Sequence, residues 1–175
     1  MIYLGLDLGK LRDFTAWAAV EENRYGELEV RYLERTAAMS RHAAMNGRCH
    51  LVMDGSGVGN PVEESLRAAQ GGWRGLTAVS ITGGDRARQA SGYGVGERWN
   101  VPRRDLLSGV QVLLEKGKLK IAEGLPETRA LVRELVRMRI GEGSSAEHDD
   151  LVMAVALGCW QAGRAKVGLG LRRVI

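Results

Sequence analysis

The sequence lacks the features that would tie it to a membrane, an oxidising compartment or a nucleotide-driven motor. No apolar stretch reaches the roughly 18 residues needed to span a bilayer. The N-terminus has neither a basic n-region nor a cleavage site, so no signal peptide is evident. Only two cysteines occur among 175 residues. Cys49 and Cys159 lie in apolar surroundings without the paired spacing of a zinc site, and read as small core residues in a reducing cytosol. No G-x-x-x-x-G-K-[ST] segment is present, so no ATPase phosphate loop is encoded. The run GSGVG at 55–59 lacks the G-x-G-x-x-G spacing of a dinucleotide site and reads as a tight turn. There are no internal repeats.

What remains is the composition of one soluble globular domain, 45% hydrophobic and 26% charged, with a cytoplasmic location expected. A net charge of +4 by itself says little about partners. Its distribution says more. Arg86, Arg88, Arg98, Arg103 and Arg104 are clustered, interleaved with Tyr93 and Trp99 and with Gly83, Gly84, Gly92, Gly94 and Gly96. Cations mixed with aromatics on an adaptable loop suit a phosphate backbone. Lys10 and Arg12, beside the first strand, offer further phosphate contacts.

Periodicity predicts the elements. Residues 2–8 are apolar on both pleat faces, as in a strand covered on both sides. Residues 14–21 and 28–35 complete an antiparallel meander that turns at Gly26. A short helix is expected at 37–46 and a buried strand at 49–53. Pro61 fits the first position of a helix that runs to Gln70, and 76–81 is a further strand. Residues 82–100 read as a mobile loop or irregular hairpin. Pro102 opens a helix through Leu106, Leu107, Val110, Leu113 and Leu114, stopped by Gly117. A short strand at 119–122 and an amphipathic helix at 126–139, through Leu131, Leu135 and Met138, follow. After a link at 141–146, the last helix spans 148–164, leaving a tail at 166–175. This order predicts an α/β fold of ribonuclease H-like type over residues 1–165: an antiparallel three-strand meander extended by parallel strands into a mixed sheet, with flanking helices. The first strand is then central and the fourth lies beside it.

Aspartates mark the ends of the apolar segments. Asp7 closes MIYLGLD, Asp54 closes CHLVMD, and Asp149–Asp150 head LVMAVALGCW. A carboxylate there is costly unless its desolvation is offset, and several in one fold suit a hard divalent cation such as Mg²⁺ or Mn²⁺. In the predicted topology Asp7 and Asp54 stand side by side, and the last helix brings Asp150 opposite them. Adjacent helical residues point about 100° apart, so Asp149 and Asp150 are not equivalent. Ala154 and Leu157 share the face of Asp150 and turn it inward, which leaves Asp149 as an outer group or a helix cap. His148 could orient a water or a phosphate, or simply begin the helix. His42 and His50 show no partner spacing. Taken singly, each aspartate also fits a turn former or an N-cap.

In four segments the chain resembles the nuclease domain of the large terminase subunit of tailed bacteriophages: GLDLGKLRDFTAWAAVE, LVMDGSGVGNPVEESLR, VPRRDLLSGVQVLLEKGKLKIAEGLPETRALVREL and EHDDLVMAVALGCW. D-x-G alone is common; the four together, in order and at similar spacing, are specific. The resemblance implies cleavage of concatemeric viral DNA during packaging, with two Mg²⁺ or Mn²⁺ ions on an acidic cluster. Carried over by position, the metal ligands are Asp7, Asp54 and Asp150, with Asp149 adjacent, and Asp13 matches an acidic position nearby. Asp7 would bridge both ions, Asp54 bind one and Asp150 the other, with His148 alongside as a catalytic candidate. Two metals roughly 3.5–4 Å apart activate the water and relieve charge on the leaving oxygen.

The departure from the family is the ATPase motor that begins a complete terminase subunit, which has no counterpart here. An isolated domain or a freestanding nuclease is therefore expected, in the host cytoplasm if the source is a phage or prophage. Its partner is double-stranded DNA, with a separate packaging ATPase, small terminase or portal protein as candidate protein partners, and no membrane. Two other readings stay open. A Holliday-junction resolvase shares the fold and the carboxylate logic but cuts structure-selectively as a dimer. A non-catalytic DNA-binding or assembly module would gain nothing from carboxylates near DNA. A two-lobed actin-like sugar kinase does not fit in 175 residues.

Overall fold

The computed structural model describes residues 1–9, 14–36, 49–56, 59–68, 73–90, 97–140 and 149–171. β1 (Ile2–Asp7), β2 (Thr15–Glu22) and β3 (Leu28–Thr36) form the expected antiparallel meander. Its second turn uses Gly26 in the left-handed region, at φ 75°. β4 (Cys49–Asp54) adds parallel to the other side of β1, so β1 is central. α1 (Gly59–Ala68) leads to β5 (Trp73–Thr82), which is parallel to β4. β6 (Arg88–Gln89), β7 (Glu97–Pro102), α2 (Arg103–Glu115), β8 (Leu119–Ile121), α3 (Thr128–Ile140) and α4 (Asp150–Leu171) complete the chain. The eight-stranded order is β6-β7-β5-β4-β1-β2-β3-β8. Both edges are short strands, which limits edge-to-edge pairing.

Several boundaries differ from expectation. β6 and β7 pair antiparallel, as in the irregular hairpin expected at 82–100, but β7 also pairs parallel with β5 and so joins the main sheet, which was not expected. The inward residues Trp99 and Val101 of β7 join the core while Asn100 is exposed, an alternation too short to stand out among glycines and arginines. β5 starts at Trp73, ahead of the apolar run. α1 begins at Gly59, two residues before Pro61. α4 continues past position 165 to Leu171. The helix expected at 37–46 and the link at 141–146 lie outside the described residues.

The sheet divides two apolar layers. Leu4, Leu6, Trp17, Ala19, Leu51 and Met53 face α1 and its Leu66. Tyr3, Ala16, Ala18, Val20, Val52, Val79 and Val101 face α2, α3 and α4. This alternation along each strand follows the period-2 pleat. α4 is buried almost all round from Leu151 to Ala162, because it lies between the sheet and helices α2 and α3. α2 stops at Gly117, at φ 61°. There Gly117 N–H donates to Leu114 O and Lys118 N–H to Leu113 O, a left-handed cap that favours glycine and delivers β8 alongside β3. No described helix is long and apolar enough to cross a membrane.

Candidate acidic site at the carboxyl ends of the parallel strands

β1 and β4 run parallel with Leu6 opposite Met53, so the next residues, Asp7 and Asp54, are neighbours. Both have the strand parity of Val52 and Tyr3, which face α4. Carboxyl ends of parallel strands are where open α/β sheets bind ligands. The turn after Asp54 is local: Ser56 N–H donates to Asp54 Oδ1 at 2.8 Å, and Gly55 N–H reaches Val79 O at 2.8 Å. GSGVG thus begins as a side-chain-closed turn.

Asp150 arrives by the docking of α4. A Cβ built on Gly5 would lie 2.9 Å from Ala154 C and 3.1 Å from Gly158 N, and closer still to Ala154 O. A Cβ on Gly158 would meet Val20 Cγ2 at 2.9 Å and Tyr3 O at 3.4 Å. The helix therefore runs antiparallel to β1, with Gly158 over Tyr3 and Ala154 over Gly5. Four helical residues advance about 6 Å and two strand residues about 6.6 Å. One further step of each brings Asp150 to Asp7.

The electrostatics register this convergence. Asp7 is pushed up to about 8, first by burial, then by Asp54 and Asp150; Arg103 opposes the rise and Glu134 adds to it. At neutral pH, with no other cation present, Asp7 holds its proton.

Two residues of the site were not anticipated from sequence. Glu134 on α3 is 6% exposed. It accepts the Val152 N–H of the first turn of α4 at 3.0 Å and pairs with Arg35 on β3. Arg35 Nε in turn stands 3.8 Å from Asp150 Oδ2. In sheet register Arg35 lies opposite Ala16, and Ala16 opposite Asp7, so Arg35 and Asp7 stand on the same face of the sheet with only the small Ala16 between them. Burial also raises Glu134, although Val152 and Arg35 oppose it. One sequence signal existed: Glu134 interrupts the apolar stripe of Leu131, Leu135 and Met138.

The basic residues sort differently from their clustering in sequence. Arg103, the first residue of α2, donates to Asp149. Asp149 caps α4 through its carbonyl, which accepts Met153 N–H at 2.9 Å. Arg98 does not join this side: it pairs with Glu63 of α1 at 2.6 Å, on the other face of the sheet, because β7 turns Trp99 and Val101 toward α4. Arg104 pairs with Asp85 at 3.1 Å. Arg86 and Arg88 are exposed on the hairpin. Lys10, Arg12, Asp13, His42 and His148 lie outside the described residues.

Farther down the sheet, a polar group is enclosed beneath α4. His50 Nε2 is 2.8 Å from Thr77 Oγ1 and 3.3 Å from Gln161 Nε2. Thr77 donates to Glu97, which Arg164 also holds, and Arg164 lies over Trp99 and Trp160. His50 covers Gly75, where a Cβ would approach the ring to 2.9 Å. Burial lowers the affinity of His50 for a proton, while Glu97 partly restores it. A sequence without partner spacing around His50 concealed this contact set.

Among the described residues, no three carboxylate, imidazole or thiolate groups stand in a ready-made metal cluster; Arg35 and Arg103 lean on Asp150 and Asp149 instead. The donor chemistry nonetheless suits divalent ions. The site offers only hard carboxylate oxygens, and the burial and acidic neighbours that raise the proton affinity of Asp7 also favour added positive charge beside it.

The chain is similar to the crystal structure of the large terminase nuclease from thermophilic phage G20c. The TM-score is 0.58 at 21% identity, over 92% of this chain and 82% of that one. It is also similar to the human cytomegalovirus terminase nuclease domain, with a TM-score of 0.50 at 13% identity, over 90% and 82% of the two chains. No protein-family model and no curated protein sequence matches. The chain thus has the ribonuclease H-like fold of these nucleases, mixed sheet and helices included.

Proposed function

We propose that the chain is a divalent-metal-dependent endodeoxyribonuclease of terminase type, hydrolysing phosphodiester bonds of double-stranded DNA. The observation that carries this reading is the placement of Asp7, Asp54 and Asp150 together at the carboxyl ends of β1 and β4 and the start of α4, where burial first and the two neighbouring carboxylates second raise Asp7 to about 8. The shared fold supports it. In a packaging system the DNA would be concatemeric viral DNA in the host cytoplasm. The partners would be a separate packaging ATPase, a small terminase or a portal protein.

Asp7 would hold both ions, Mg²⁺ or Mn²⁺, with Asp54 holding one and Asp150 the other. Bound there, the two ions supply an activated water and charge relief at the leaving oxygen. The protein's part is placement. β1 and β4 fix Asp7 and Asp54 on rigid strands, and Glu134 fixes the first turn of α4 and thereby Asp150. Asp7 would have to give up its proton to hold an ion, so binding there would strengthen with rising pH. Asp149, tied to Arg103, sits outside this trio, and its position before α4 suits it to shaping the rim. His148 adjoins the same helix start in sequence.

The test is plasmid cleavage with Mn²⁺, Mg²⁺ or excess chelator, using the wild type and Asp7→Asn, Asp54→Asn and Asp150→Asn. Each variant should stay folded and lose cleavage, and Mn²⁺ should serve at least as well as Mg²⁺. Full activity in chelator would sink the metal mechanism, and full activity of one variant would remove that residue from it.

A further inference from the structure

Of the arginines between positions 86 and 104, the acidic site engages one. Arg98 is held by Glu63 on the opposite face, and Arg104 by Asp85. Arg103 alone is joined to the start of α4, through Asp149. We propose that Arg103 is a two-position side chain: it rests on Asp149 as the site's own cation when DNA is absent, and transfers to a phosphate oxygen of duplex DNA when the substrate arrives. This inference rests on the nuclease reading of the site.

Three features make the transfer physically reasonable. The first is position. Arg103 follows β7 directly, so its backbone is fixed at the same sheet edge that carries Asp7 and Asp54. The second is freedom. The Arg103 side chain is 39% exposed and that of Asp149 27%, so this pair lies near the surface, where an ion pair is weak and exchanges readily. The pair formed by Arg35 and Glu134, at 18% and 5%, is far more enclosed and is not exchangeable in this sense. The third is charge. The site gathers Asp7, Asp54, Asp149 and Asp150, and a phosphate must enter beside them. A guanidinium already in place opposes that repulsion, and its planar fork matches a phosphate bidentately. Asp149 is then the cradle that keeps Arg103 near the reaction rather than a ligand of an ion.

The experiment combines two readouts on the full chain. Mn²⁺ binding to DNA-free protein is followed by calorimetry for wild type, Arg103→Gln and Arg103→Lys. Duplex affinity is measured against salt for the same substitutions placed on Asp7→Asn, which blocks cleavage. Removing the resident cation should tighten Mn²⁺ binding severalfold. It should also lower the slope of log affinity against log salt by about 0.9, the value of one phosphate contact. Arg103→Lys should keep the salt slope but bind DNA more weakly than wild type. Asp149→Asn, which frees Arg103 without removing it, should leave the salt slope intact; this covers the case in which Arg103→Gln folds poorly. Tighter Mn²⁺ binding with an unchanged salt slope in Arg103→Gln would make the arginine merely structural and overturn the proposal. So would a salt slope reduced by Asp149→Asn. If the wild type cleaves DNA in the plasmid assay, these failures leave the nuclease reading standing. If the wild type binds no DNA at all, both fall.

Discussion

Ala154 of α4 rests on Gly5 of β1 so closely that no side chain fits between them. A Cβ at position 5 would stand 2.9 Å from the Ala154 carbonyl carbon, with the carbonyl oxygen nearer still. The approach fixes the helix against the central strand two residues before Asp7 and four residues after Asp150. The depth of this one crossing therefore sets the spacing of the two carboxylates.

Gly5→Ala should separate them. The helix must rise or slide, and overpacking of this kind costs about 1–3 kcal/mol, with backbone as the obstacle placing it at the upper end. A fall in melting temperature of about 6–10 °C is expected for a chain of this size. Cleavage should fall more than the loss of folded protein explains. A variant with wild-type melting and activity would show that α4 tolerates displacement.

Asp7→Asn should stabilise the metal-free protein in a pH-dependent way. The folded state holds the Asp7 proton up to about pH 8, whereas the ordinary value is 3.8. The stability of the wild type therefore declines as pH rises through that window and levels off above it. Asparagine cannot ionise, so its advantage should be near zero at pH 4 and reach on the order of 2–4 kcal/mol by pH 8, screened somewhat by solvent at the sheet edge. Urea unfolding at a series of pH values in chelator measures it. An advantage that does not change with pH would remove the buried, coupled carboxylate from the account.

Glu134→Ala should loosen the start of α4. It strips the Val152 N–H of its acceptor and leaves Arg35 without its most enclosed partner. Breaking an enclosed pair from one side costs about 3–5 kcal/mol. Glu134→Gln keeps an acceptor for Val152 and should cost less. Amide exchange separates the two effects: protection at Val152 should drop in Glu134→Ala and survive in Glu134→Gln. Equal protection in both would assign Glu134 to the ion pair alone.

His50 should govern an acid limb of stability. Burial lowers its proton affinity below the ordinary 6.5, so its contribution is complete above that pH and is lost as pH falls toward the depressed folded value. Glu97, Arg164, Thr77 and Gln161 face the ring, and a second proton there must sit near Arg164. His50→Gln should flatten the decline between pH 7 and pH 5 in chemical denaturation. An unchanged slope would place the acid limb elsewhere.

The meander and the four-residue spacing around Asp150 were legible because they rest on local rules, and the central first strand with β4 beside it because the order of elements matches one sheet type. Apolar runs covered on both faces, a glycine turn and a buried helix with an acidic start each leave a pattern within a few residues. Asp7 and Asp54 could be singled out because each ends such a pattern, and Asp150 because it begins one. β7 was not legible: its two inward residues, Trp99 and Val101, give too short an alternation, and its existence depends on pairing with β5.

The sequence by itself thus determined which carboxylates end the strands and begin the last helix, since that follows from the pleat and the helical repeat. Only the tertiary structure decided what each charge faces. Arg98 and Arg103 are five residues apart, yet one meets Glu63 across the sheet and the other Asp149 at the site. Arg35 and Glu134 are separated by 99 positions and meet directly. Charge partners are set by which face of the sheet a residue occupies and which helix covers it. Those are properties of chain packing over long separations, and no local periodicity encodes them.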